Sequence, residues 1–235
     1  MIPLKAEYPV PGFTPCTWFI VASCALIWLY EAFLPPESLE ALITFYGATP
    51  ALILSGAHGF NLQTLAIYST LLTSLFLHAN FLHVALNMLF FQVFSRNVEA
   101  LMGPLRFAVF YLVCGVAGTL THAALNADSG EPLIGASGAV AGVLAAHAML
   151  LPFDRVRTLV FYGVVTVVNI QAWIFTAIWL GLQFLIPITG DPSIAWLAHL
   201  GGVVAGVALT PVFKRPGVPL FDDPRPRGPW SQPAA

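Results

Sequence analysis

The chain has 235 residues, of which 58% are apolar and only 9% charged, against about 25% charged in an ordinary soluble domain. With a mean hydropathy of +0.82 it has too little charge to build a water-facing surface, and the composition points to a lipid-embedded protein. Nine Lys+Arg against eleven Asp+Glu leave no basic patch for nucleic acid, and Cys16, Cys24 and Cys114 lie in or beside apolar stretches, as small hydrophobes and not as a disulfide framework.

Six stretches free of Asp, Glu, Lys and Arg are long enough to hold spans: 8–30, 41–95, 107–127, 132–153, 158–190 and 192–213. A bilayer-crossing helix needs about 20 apolar residues. The first is not a cleavable signal, because its apolar part, 17–30, ends at Tyr30-Glu31 without a small-x-small pattern. The second is broken in its first half by Pro50, Gly56 and Gly59 and by the polar groups of His58, Asn61 and Gln63. That half predicts a long loop over 35–79, with short helices in or on the outer leaflet. One regular helix follows, from near Asn80 to about Val98. Each later stretch holds one helix, with 158–190 forming a tilted helix with an apolar lead-in. The Pro-rich chain from Lys214 reads as disordered. The expected organisation is an N-terminal segment (1–16), a six-span unit (17–213) and a tail (214–235), all-α, with no internal repeat and no second domain.

Charge placement supports six spans. Lys5, Arg96, Arg106, Arg155, Arg157, Lys214, Arg215, Arg225 and Arg227 then share one side, while the opposite loops carry only Glu37, Glu40, Asp128, Glu131 and Asp191. Seven spans would split the basic residues eight to one. The expected topology is multi-pass with both termini cytoplasmic. The short chain without targeting extensions suits a bacterial cytoplasmic membrane.

Polar groups in a membrane core are costly and point to function. The odd-numbered spans offer little; spans 2, 4 and 6 supply a set. In span 2, His83 and Asn87 are four apart and share a helix face. Span 4 opens with Gly135-Ala136-Ser137-Gly138, and span 6 with Ala198-His199-Leu200-Gly201-Gly202. Ser137 lies six residues past Glu131 and His199 eight past Asp191, which at about 1.5 Å per residue sinks both roughly 8–12 Å below the outer boundary. Gly202 and Gly206 follow His199 on its own face, and Gly138 and Gly142 form a second small-xxx-small pair. Such faces allow close backbone approach in lipid, so packing spans 4 and 6 along them carries Ser137 toward His199. An imidazole base activates a serine hydroxyl. With no carboxylate within a turn or two of His199, the arrangement is a dyad. The His83 and Asn87 side chains and the Ser137 N–H suit an oxyanion site.

Blander readings exist for the same residues. A Gly-x-Ser-Gly string also serves as a packing motif, and Asn87 can bridge helices. His122 and His147 read as hydrogen-bonded structural residues, His147 being roughly 15 Å deeper than Ser137. His58 reads as a loop residue, and His78 as a brace between the outer loop and span 2. Phe90, Phe91 and Phe94 face lipid or the core. No metal or other cofactor is expected, since the chain has neither His-Glu-x-x-His nor a Cys/His cluster.

From about Tyr46 to Pro211 the sequence resembles the rhomboid family of intramembrane serine proteases. The matching pieces are His78-x4-His83-x3-Asn87, the Glu99–Gly103 stretch, Gly135-Ala136-Ser137-Gly138 and Ala198-His199-x2-Gly202-x3-Gly206. The resemblance implies a six-helix bundle with a membrane-embedded first loop and a water-filled cavity opening outward. It implies Ser137 as nucleophile, His199 as general base, and His83, Asn87 and the Ser137 amide as the oxyanion site, with Gly135 shaping the loop into span 4. The implied partners are the lipid bilayer and single-span membrane proteins, cut near their outer ends at small residues. Two features depart from some members. Ala141 stands where an aromatic packs on the base, leaving Trp196 as the candidate to hold His199, and the first loop has no Arg. A catalytically silent relative that binds transmembrane helices, and a small transporter, are the alternatives. The missing buried carboxylates and the lack of paired broken helices speak against the transporter.

Overall fold

Proline sets the first turns of much of this chain. In the computed structural model, α1 (Pro15–Ala32), α2 (Pro36–Tyr46) and α3 (Pro50–Leu54) each begin at a Pro, where the ring fixes φ and the missing N–H costs no bond. Two asparagines start the next helices. Asn61 accepts from the Thr64 N–H ahead of α4 (Leu62–Thr73), and Asn80 accepts from the His83 N–H ahead of α5 (Phe81–Met102), both at 2.9 Å. Then come α6 (Pro104–Leu125), α7 (Ser137–Leu150), β2 (Arg155–Tyr162), β3 (Val164–Gln171), α8 (Ala172–Gln183) and α9 (Trp196–Phe213), with β1 (Ile2–Ala6) at the start of the chain. The structure describes residues 1–9, 12–55, 59, 61–185 and 195–222. His58, Asp191, Arg225 and Arg227 lie outside them, as does the tail beyond Asp222.

The protein is mostly helical, and α1, α6 and α9 are each long and apolar enough to cross a membrane. A fourth crossing is available if α4 with its 3-10 turn (Ser74–Phe76) and α5, bent by 81° at their junction, count as one span. Six full-length spans are not seen among the described residues. Helices α7 and α8 are apolar but have only 14 and 12 residues, about 21 and 18 Å of rise against a hydrocarbon core of roughly 30 Å. The predicted helix-bearing loop over 35–79 is present as α2, α3, α4 and the 3-10 turn, and the predicted helix from Asn80 matches α5.

Two expectations need correction. The protein is not all-α, and 158–190 does not form one tilted helix. Residues 155–171 make a β-hairpin, and among the described residues of this stretch the helix is α8. Strands β1, β2 and β3 form an antiparallel sheet in that order, with Ile2 opposite Leu159 and Arg155 opposite Gln171. The reason is legible once local chemistry is weighed against hydropathy. The stretch is dense in Val, Thr and Ile, whose branched side chains favour a pleated backbone. Gly163, at φ +73°, takes the turn between paired Tyr162 and Val164.

The seven described basic residues gather at one end of the bundle. Lys5, Arg155 and Arg157 lie on the sheet, Arg96 near the end of α5, Arg106 at the start of α6, and Lys214 and Arg215 just after α9. The expectation of no buried carboxylate is overturned: Glu31, Glu99 and Asp154 are all buried, and the last two tie this end together. Glu99 of α5 accepts from the N–H groups of Cys16 and Thr17 (3.0 and 2.7 Å) and from the Thr17 hydroxyl (2.7 Å). It thereby caps the positive end of α1 from another helix. Asp154 accepts from the Tyr8 N–H (2.8 Å) and faces His147. The chain after Lys214 is ordered further than the disordered reading allows: the N–H groups of Arg215 and Phe221 donate to the carbonyls of Leu101 (2.9 Å) and Met149 (2.6 Å).

At the other end, the first loop supports the approach to α7. Ala48 and Leu133 exchange two backbone bonds of 3.0 Å, Ala51 N–H donates to Ser129, and Gly135 N–H donates to Ser74. These bonds tether 129–135 to the first loop and fix where α7 begins. Helix α7 is apolar all round and buried along most of its length, as a central helix should be. Phe91 and Phe94 of α5 are buried in the same core, with Phe90 packed against it.

Candidate active site

The glycine seam predicted between spans 4 and 6 exists, and it includes a third helix. A methyl at Gly202 of α9 would collide with the Gly138 carbonyl of α7, and one at Gly206 with Gly142. On α6, a methyl at Gly118 would lie 2.6 Å from the Ala198 carbonyl oxygen and 3.2 Å from the Gly138 Cα. Real Cβ atoms do not come that close, so the three backbones meet only because these positions lack side chains. Ser137 is the neighbour of Gly138, and His199 the neighbour of Ala198. The seam therefore sets the first turns of α7 and α9 side by side at one level.

Ser137 is half-buried at the first position of α7, where unpaired N–H groups and the positive helix end face outward. Among the described residues its hydroxyl makes no hydrogen bond. His199 is buried. Its Nδ1 lies 2.7 Å from the Gln183 Oε1, and its ring lies 5.4 Å from that of Trp179. Both partners come from α8. Trp196, the expected brace, packs instead on Phe184, ring centroids 6.1 Å apart.

His83 and Asn87 share the inward face of α5, as their spacing predicts. Gly135 adopts φ +120°, a left-handed conformation that L side chains rarely take, and a Cβ there would come within 2.8 Å of the His83 ring. That contact ties His83 to the loop entering α7. Asn87 is buried, and its Nδ2 donates to the His83 carbonyl at 3.1 Å. One amide hydrogen is used there, which leaves the second for another acceptor.

His78 braces the α4–α5 junction against α1. Its N–H donates to the Glu31 carboxylate (3.2 Å), and its ring meets that of His83 edge-on at 5.1 Å. His147 is fully buried, with Nε2 3.2 Å from Asp154 Oδ2 and 3.3 Å from Asn97 Nδ2. His122 departs from the hydrogen-bonded reading at one nitrogen, since its buried Nδ1 has no partner among the described residues.

The odd-numbered spans, which offer little by sequence, also contribute to the site region. Glu31 of α1 and Gln183 and Trp179 of α8 all reach the site region. A signal for Gln183 was present, because an amide in an apolar run warrants the same suspicion as any polar group in a span.

The fold and this cluster define the class: a helical integral membrane protein with a serine, two histidines and an asparagine converging at one end of its bundle. The Rhomboid domain family model matches residues 66–216, and the chain belongs to the rhomboid family. Among curated relatives it is 41% identical over 81 residues to inactive rhomboid protein 1 of Drosophila melanogaster, covering 34% of this chain and 6% of that protein. It is 29% identical over 217 residues to RHOMBOID-like protein 4 of Arabidopsis thaliana (85% of this chain, 52% of the relative). It is 27% identical over 199 residues to the mitochondrial presenilin-associated rhomboid-like protein of Mus musculus (81% and 46%). The chain thus spans about half the length of these relatives, or much less.

Proposed function

We propose that this chain is an intramembrane serine endopeptidase that cuts single-span membrane proteins near one end of their helices. The observation carrying this reading is the glycine seam, which holds the Ser137 turn of α7 against the His199 turn of α9. In the proposed reaction the Ser137 Oγ attacks the scissile carbonyl while His199 takes its proton and later delivers it to the leaving amine. The carbonyl oxygen gains charge in that step. The Ser137 N–H, the free Asn87 amide hydrogen and His83 are the donors suited to it. Water then hydrolyses the acyl-enzyme, with His199 again as base. A helical peptide bond is hydrogen-bonded and crowded, so a substrate with helix-breaking residues at the cut site opens at lower cost. The proposed setting is a cytoplasmic membrane whose inner face takes the basic end of the bundle, with both termini on that side.

A second reading is a silent relative that binds transmembrane helices. The name of the Drosophila melanogaster match favours it; the presence of Ser137, His199, His83 and Asn87 together favours the enzyme. A fluorophosphonate probe on detergent-solubilised protein separates the two. The protease reading expects covalent labelling that is lost in Ser137→Ala. Equal labelling of wild type and Ser137→Ala, or none in either, leaves the silent reading.

A further inference from the structure

We infer that Gln183 is a positioning residue for His199, fixing its tautomer, and that Trp179 fixes the plane of its ring. The inference deepens the reading of His199 as base and rests on it. Sequence reasoning finds no carboxylate near His199, and the structure supplies an amide instead, from the last residue of α8.

The amide's direction is set by its own helix. Gln183 Nε2 donates to the Trp179 carbonyl at 3.4 Å, which leaves Oε1 facing His199 Nδ1 at 2.7 Å. A carbonyl oxygen only accepts, so Nδ1 carries the ring proton and Nε2 keeps its lone pair. That is the form a base needs if its second nitrogen is to take a proton from Ser137. A neutral amide gives this orientation without burying a charge, which in a low-dielectric core would cost far more.

Trp179 holds the ring from the side. It is wedged between Phe90 of α5, 6.4 Å between centroids, and His199, at 5.4 Å. It also packs against the small cluster of Ala141, Ala145 and Val203. Alanine at 141 and 145 makes room for an indole arriving from α8. The space left by a small residue one turn after Ser137 is thus filled from another helix.

The test uses the full chain in detergent micelles, ¹⁵N-labelled at histidine, with the His199 signal assigned by its loss in His199→Ala. The expected wild-type signal is that of an Nδ1-protonated neutral ring. Gln183→Leu, similar in size but apolar, should mix the tautomers and slow fluorophosphonate labelling of Ser137 about 10- to 100-fold. Gln183→Glu keeps the acceptor and adds charge, so labelling persists and its pH of half-maximal rate moves up by about 1 or more. An Nε2-protonated ring in wild type overturns the inference, as does a Gln183→Leu protein with unchanged ring signals and unchanged rate. If Gln183→Leu does not fold, an unmoved pH midpoint in Gln183→Glu overturns it alone. If no variant labels, wild type included, yet Gln183→Leu changes the ring signal, the tautomer assignment stands and the protease reading falls.

Discussion

His147 and His199 are both buried imidazoles on helices that share the glycine seam, yet their surroundings oppose each other. His147, with no exposed surface, sits at the basic end between Asp154 and Asn97. Asp154 also receives the Tyr8 N–H, which ties the N-terminal segment to the bundle. His199 sits at the opposite end, faces a neutral amide, and stands on the helix turn that packs against the turn of half-buried Ser137. A histidine locked to a carboxylate inside a closed core has nowhere to pass a proton. His147 Nδ1 is buried without a partner among the described residues, so the two rings differ in the partner each keeps, a carboxylate for His147 and a neutral amide for His199. Residue type alone does not separate the two roles; the partner and the access do.

That contrast can be broken most sharply at the site end. Ser137→Ala should abolish labelling and turnover, and His199→Ala should lower turnover by ~10⁴–10⁶. His147→Ala, by contrast, should leave turnover per folded molecule intact. Cleavage of a panel of tagged single-span proteins measures all three, and equal losses in the two histidine variants would erase the distinction. Next in size are His83→Ala and Asn87→Ala. Each should reduce turnover by about 10²–10³, the usual cost of one oxyanion donor, or by no less than about tenfold where the remaining donors compensate. Both proteins should still fold, and wild-type rates in both would remove the oxyanion assignment.

Stability effects come after these. Gly202→Ala sets a methyl onto the Gly138 carbonyl and should destabilise by about 1–3 kcal/mol, as overpacking does, with labelling lost as the seam opens. Asp154→Ala strands the Tyr8 N–H and the His147 ring, and should cost about 1–3 kcal/mol. Thermal unfolding in detergent compares the pair. The expected split is that Gly202→Ala impairs labelling per folded molecule and Asp154→Ala does not.

Part of the candidate cluster's placement is legible in the sequence. Spacing put His83 and Asn87 on one face of α5, and the small-residue pairs after Ser137 and His199 announced a close contact between α7 and α9. These signals are local or depend on a single helix period, so they survive without tertiary information. Trp179 and Gln183 were not legible in the same way. Their value depends on the end of α8 lying beside the start of α9, across a stretch that carries no pattern linking them. The hairpin at 155–171 escapes hydropathy for another reason: hydropathy treats a Val-rich strand and a Val-rich helix alike, and the density of β-branched residues, the turn at Gly163 and the pairing with β1 distinguish them.

The sequence by itself determined that the chain is built for lipid, that its basic residues gather toward one end, that His83 and Asn87 share a face, and that α7 and α9 carry small-residue faces after Ser137 and His199. Composition, charge and helical period are properties of the chain read in order. The tertiary structure decided what each buried polar group faces: Glu99 the start of α1, Asp154 His147, Gln183 His199. Those partners lie far apart along the chain, and a buried dipole or charge takes its role from what it touches.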